Sequence, residues 1–228
     1  MHKPTERLFF ALGIDHALAD PTCAQDSDKQ TPFHRLCHFN QTLNQQYPST
    51  ESSNGLTLEL GHCVPEANLH VTLAFLGAIT PQQKTVLIAQ ASRITMPAFS
   101  LNFDHLGYWP SSRVLWLGTH QPPQQLLTLA QQLQQMAKSV GVYQLERTYI
   151  PHITLRKQVP PSSTVTQARP LDQRGFSFHF QHFGLYISEQ LQAKQPRPDQ
   201  QGSNHPPQVQ YRCLHQWPLQ IKKTKQDA

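Results

Sequence analysis

Charge is scarce in this chain. Asp, Glu, Lys and Arg make up 14% of its 228 residues, against about 25% in ordinary domains, so Gln, Pro, Ser, Thr and His must supply most of the polar surface. No run of Lys or Arg is long enough to serve as a basic arm; Lys222, Lys223 and Lys225 come nearest. The net charge of +5 is then weak support for nucleic acid and leaves a mild preference for an anionic partner. Cysteine is scarce as well. Cys23, Cys37, Cys63 and Cys213 show no C-x-x-C spacing, which argues against a zinc knuckle or a redox pair and suits reduced thiols in a cytoplasmic protein. His34 and His38 flank Cys37 at helical spacing, but no third or fourth ligand accompanies them, and neither a metal nor a cofactor is expected. Long apolar runs are missing too. The run from Leu8 to Ile14 is about a third of the roughly 20 residues a membrane helix needs, and no A-x-A-like cleavage site follows it, so no membrane span or secretory leader is expected.

What is present is periodic. Arg7 to Leu12 reads as a buried strand ended by Gly13. Thr31-Pro32 supplies an N-cap and a first-turn proline to a helix carrying Phe33, Leu36, Cys37 and Leu43. Leu69 to Leu76 reads as a strand, and Thr80-Pro-Gln-Gln83 is a capping box opening a helix through Leu87, Ile88, Ala91 and Ile94. Phe99 to Leu106 and Val114 to Leu117 read as strands. Gln121 to Val140 sets Leu126, Leu129, Ala130, Leu133, Met136 and Ala137 on one helical face, with Gly141 at C′. Ile150 to Leu155, Phe176 to Ile187 and Tyr211 to Leu219 follow as strands. Ser49 to Gly55 and Gln190 to Gln210 are polar, aperiodic loops.

Two strings recur in order. Leu69-His70-Val-Thr72-Leu73 returns as Pro151-His152-Ile-Thr154-Leu155. Phe99-Ser-Leu-Asn-Phe-Asp-His-Leu-Gly107 starts 29 residues after His70, and Phe176-Ser-Phe-His-Phe-Gln-His-Phe-Gly184 starts 24 residues after His152. Matching two strings in one register points to an internal duplication. Residues 1–228 are therefore expected to form a single α+β domain of two pseudo-symmetric lobes. That is a bilobal, duplicated fold with two antiparallel sheets and outer helices, facing a central cleft.

In each copy His and Thr stand two apart and so share one strand face. Two lobes related by an approximate twofold axis would bring two imidazoles and two hydroxyls to one cleft. With ordinary pKa values near 6.5, one imidazole can be neutral while the other is charged, which is what an acid and base pair requires. Opening a strained cyclic phosphate suits that set: one His takes a proton from water, the other gives one to the departing oxygen, and the hydroxyls steady the charge on phosphate. Phe9, Phe10, Tyr108, Trp109, Trp116 and Tyr149 are candidates for stacking a base, with Trp116 and most others assigned to the core. Tyr149 and Trp109 are retained as substrate contacts. His105 and His182, equivalent in the repeat, are read as structural.

These residues resemble the 2H phosphoesterase superfamily. The paired H-x-T-L motifs carry the likeness, with Arg7 to Leu12 before them, Ser112 to Gly118 between them and Tyr211 to Trp217 after them. Within the superfamily the chain most resembles the bacterial RNA 2′,3′-cyclic phosphodiesterases, formerly called 2′-5′ RNA ligases. Asn68 to Gly77 is similar to that family's first motif and Arg147 to Leu155 to its second. The resemblance implies hydrolysis of RNA 2′,3′-cyclic phosphate ends to 2′-phosphomonoesters, with ATP-independent RNA joining as a reverse-type reaction. It implies His70 as proton donor, His152 as proton acceptor, and Thr72 and Thr154 as phosphate holders. The family places an Arg five residues after the second His, where this chain has Lys157. Arg156, which would share a strand face with Thr154, is the alternative phosphate contact. The expected partner is an RNA end bearing a cyclic phosphate, met by a monomer in the cytoplasm. Two other readings remain: a 2H phosphodiesterase of 2′-5′ oligonucleotides or cyclic nucleotides, and an RNA-end binding module without turnover.

Overall fold

The computed structural model describes residues 5–15, 17–19, 31–46, 60–143, 148–161, 169–171, 175–190 and 209–220. The expected loop at 49–55, nearly all of that at 190–210, Cys23, Arg147 and the basic tail lie outside the described residues. The strands are β1 (Glu6–Gly13), β2 (Leu18–Ala19), β3 (His62–Cys63), β4 (His70–Ile79), β5 (Phe99–Phe103), β6 (His105–Trp109), β7 (Val114–Gly118), β8 (His152–Lys157), β9 (Arg169–Pro170), β10 (Phe176–Phe180), β11 (His182–Gln190) and β12 (Val209–Pro218). The helices are α1 (Pro32–Gln46), α2 (Pro81–Ala91) and α3 (Gln124–Ser139). Thr80 caps α2 as expected: its hydroxyl accepts from the Gln83 N–H, and the Gln83 side chain accepts from the Thr80 N–H. Among the described residues no helix is long and apolar enough to cross a membrane.

Two antiparallel sheets and the helices give the expected α+β class. A nine-stranded sheet runs β12-β11-β1-β4-β8-β7-β6-β9, with β3 also on β8, and a three-stranded sheet runs β2-β10-β5. The strings read as single strands from Phe99 and Phe176 are each divided. β5 and β10 pair in the small sheet, the chain crosses at Asp104 and Gln181, and β6 and β11 continue in the large one. Two polar residues in a row, Asp104-His105 and Gln181-His182, break the apolar alternation at each crossing.

Each repeated string pairs with its own copy. Val71 stands opposite Ile153 where β4 meets β8, and Leu101 stands opposite Phe178 where β5 meets β10. All four side chains are buried in one apolar cluster that also takes the Leu126, Leu129, Leu133 stripe of α3. α1 packs Phe39 on Phe176 with ring centroids 5.4 Å apart.

The same irregularity occurs twice. On β4, Thr72 pairs with Ala11 and Ala74 with Phe10, so Leu73 is an extra residue. On β8, Thr154 pairs with Trp116 and Arg156 with Leu115, so Leu155 is extra. A bulge of this kind leaves one residue off the ladder and reverses the alternation beyond it. Both orphaned carbonyls are satisfied: Leu73 O accepts from the Gln134 side chain at 3.1 Å, and Leu155 O from the Val64 N–H at 2.9 Å.

Candidate active site

The β4–β8 junction sets the site. The register that faces Val71 with Ile153 carries Thr154 alongside His70 and His152 alongside Thr72, on the face opposite the core. Each histidine is oriented by the carbonyl two residues before it. His70 Nδ1–H donates to Asn68 O at 2.7 Å, and His152 Nδ1–H donates to Ile150 O at 2.8 Å. A carbonyl can only accept, so both Nδ1 atoms carry the proton, and Nε2 is the working atom of each ring. Thr72 Oγ1–H donates to His70 Nε2 at 2.9 Å.

Asn68 fixes more than the imidazole. Its side chain donates to Val209 O at 2.7 Å and accepts from the Tyr211 N–H at 3.0 Å, which holds β12 beside the start of β4. Tyr211 then meets His70 edge-on, with centroids 5.1 Å apart, and Phe9 lies 5.0 Å away from the same ring. This enclosure pushes the His70 imidazole down to about 4; the Asn68 carbonyl pulls it up, and His152 and Lys157 push it further down. His152 has a different setting. Trp109 meets it edge-on at 4.5 Å and Trp116 at 6.2 Å.

The bulges decide which other residues reach this face. Beyond Leu155 the alternation reverses, so Arg156 turns inward, 3% exposed, and donates to Asn40 O of α1. Arg156 is therefore not a phosphate contact, contrary to the uninterrupted alternation assumed from sequence. Lys157, the next residue, is exposed, and its charge acts on His70. The equivalent shift on β4 brings out Phe75, 62% exposed, 6.3 Å from the Phe9 ring. Sequence reasoning missed Phe75, because it sits in an apolar run that reads as core.

Tyr149 is half-buried and has a structural bond. Its hydroxyl donates to Thr72 O at 2.9 Å and burial raises its phenol above the usual range; it ties the lead-in of β8 to β4. Trp109 is half-buried at the cleft. Phe9, Phe10 and Trp116 are buried. Asn68 and Tyr211 were inside quoted motifs, but only the long-range contact with β12 gives them a role.

Fold and site together define a two-histidine phosphoesterase. The family model for LigT like phosphoesterases matches residues 53–116. The RNA 2′,3′-cyclic phosphodiesterase of Escherichia coli (strain K12) is 39% identical over 130 residues, 57% of this chain and 72% of that protein. The protein of the same name from Aquifex aeolicus is 29% identical over 102 residues, and the match spans about half of its length, 54%. The crystal structure of E. coli LigT complexed with 3′-AMP superposes with a TM-score of 0.67 at 30% identity, covering 94% of this chain and 98% of that one. The chain belongs to the LigT-like phosphoesterases, in the family of the RNA 2′,3′-cyclic phosphodiesterases.

Proposed function

We propose that the chain opens RNA 2′,3′-cyclic phosphate ends to 2′-phosphomonoesters, with His70 as general acid and His152 as general base. The observation that carries this is the matched pair of Nδ1–H bonds to main-chain carbonyls, which makes Nε2 the proton-transfer atom of each ring. His152 Nε2 takes a proton from water as its oxygen attacks phosphorus; the P–O3′ bond breaks and O3′ takes the proton from His70 Nε2. Thr72, Thr154 and Lys157 hold the non-bridging oxygens, whose charge grows toward the transition state. Burial keeps His70 neutral in the free protein; the anionic phosphate, brought against Nε2, favours the imidazolium.

The relatives named for this activity support the substrate class. Self-pairing of the repeated strings supports one domain of two pseudo-symmetric lobes over residues 1–228. The free thiols of Cys37, Cys63 and Cys213 suit a reducing compartment, in keeping with a cytoplasmic monomer.

The test is an RNA oligonucleotide ending in a 2′,3′-cyclic phosphate, incubated with the full chain beside 2′-5′ adenylates. A 2′-phosphate product from the cyclic end is expected. Faster cleavage of the adenylates, a 3′-phosphate product, or binding without turnover overturns the reading.

A further inference from the structure

A second cluster of side chains lies beside the phosphate cleft and shares the Trp116 ring with it: the ring centroid stands 5.4 Å from that of His105 and 6.2 Å from that of His152. Asp104 lies at the crossing between the sheets, His105 opens β6 and His120 follows β7. Their backbone is well fixed: Asp104 N–H donates to Gly118 O and Asp104 O accepts from the Leu171 N–H, both at 2.9 Å. Both imidazoles turn Nδ1 onto one Asp104 oxygen, each at 2.8 Å, with ring centroids 4.1 Å apart. The His120 N–H reaches the same carboxylate at 3.2 and 3.3 Å. One donor atom from each residue lies within 4.8 Å of the other two. Burial alone would raise the Asp104 carboxyl; the His105 and His120 bonds outweigh it and hold the group below its usual range.

The strand architecture does not demand this cluster. In the second string Gln181 and His182 replace Asp104 and His105, and no carboxylate is offered. His120 is 63% exposed at its side chain, which leaves a side open to water and to an entering ion. Two imidazole nitrogens and one carboxylate oxygen form the donor set of a borderline divalent ion, completed by water. Calcium and magnesium prefer oxygen ligands throughout. Bonds of about 2.0–2.2 Å in a tetrahedron put donor atoms roughly 3.3 Å apart, so the present separations need only a small opening, which the exposed His120 can supply.

We propose that Asp104, His105 and His120 bind a divalent transition-metal ion of the zinc class, at a site of their own one strand away from His152. Binding uses the Nδ1 lone pairs, so the proton on each Nδ1 moves to Nε2 or to solvent. The site does not depend on the proposed reaction.

Zinc titration of the metal-stripped full chain against a chromophoric chelator tests it. Wild type should take one tight equivalent. His120→Ala and Asp104→Asn should bind it at least tenfold more weakly, whereas His38→Ala, altered at an exposed imidazole on α1, should keep it. Asp104 also braces the chain, so His120→Gln repeats the test at the exposed member. Cobalt should quench tryptophan fluorescence in wild type, because the Trp116 ring lies 5.4 Å from His105, and the quenching should fall in His120→Gln. No tight zinc equivalent in wild type, or equal zinc binding by wild type and both His120 variants, overturns the proposal.

Discussion

The half of the cleft around His70 and the half around His152 share a motif and differ in surroundings. Both imidazoles are held at Nδ1 by a carbonyl two residues upstream, and both strands bulge at the leucine after threonine. Yet His70 is enclosed by Phe9 and Tyr211 and bonded to Thr72, whereas His152 stands against Trp109 and Trp116. Orientation is thus local to the motif, and proton affinity comes from strands far away in the chain. The recurring motif gives both rings the same orientation, while different aromatic neighbours stand around each.

The sharpest way to break the comparison is to remove either ring. His70→Ala and His152→Ala should each lower kcat/KM by about 10²- to 10⁴-fold with RNA-end binding largely kept. The double variant should be little worse than the worse single one, as for groups acting in one step; losses that multiply would show that the two act independently.

Protonation of His70 is the next point of attack. The His70 folded pKa of about 4 lies below the ordinary 6.5, so between those values the unfolded chain binds more protons and stability rises with pH. This contribution is on the order of 3 kcal/mol, fully present above about pH 6.5 and lost as pH falls toward 4. Urea unfolding between pH 4.5 and 7 should show the slope in wild type and a flatter one in His70→Ala. Equal slopes would mean that the enclosure does not set the proton affinity of His70.

The positions just beyond the bulges offer a smaller contrast. Lys157→Ala should raise KM roughly tenfold, the scale of one charged contact to phosphate, and its effect should shrink with salt. Phe75→Ala, at the matching place on β4, should be insensitive to salt; equal salt dependence of the two would undo the assignment. Smallest of all, Tyr149→Phe should cost about 1 kcal/mol in unfolding free energy, since it loses the bond to Thr72 O and no cleft contact.

Much of this was legible from residues alone. The twin H-x-T strings named the four central side chains, the Thr80 to Gln83 box fixed the start of α2, and the leucine stripe of α3 gave its buried face. What escaped were properties of pairing. Whether Leu155 is an extra residue depends on how β7 lies against β8, so the exchange of Arg156 for Lys157 could not be read along one strand. Phe75 was hidden for the same reason. The crossings leave a trace, the paired polar residues at Asp104-His105 and Gln181-His182, but a slip of one position does not say which sheet receives the continuing strand. Tyr149 looked polar-flanked and available; its acceptor lies on β4, distant in sequence.

The contact of Val71 with Ile153 has a consequence for synthesis. It joins segments far apart in the chain, and such contacts form late because loop closure opposes them. While the C-terminal part is still on the ribosome, β4 has β1 beside it and no β8, so one margin of the future cleft is an unpaired strand edge open to stray partners. Its closure brings the two motifs together, while β11 and β12, with the Tyr211 that encloses His70, join on the other side of β1; a half-made chain carries one imidazole and no pair.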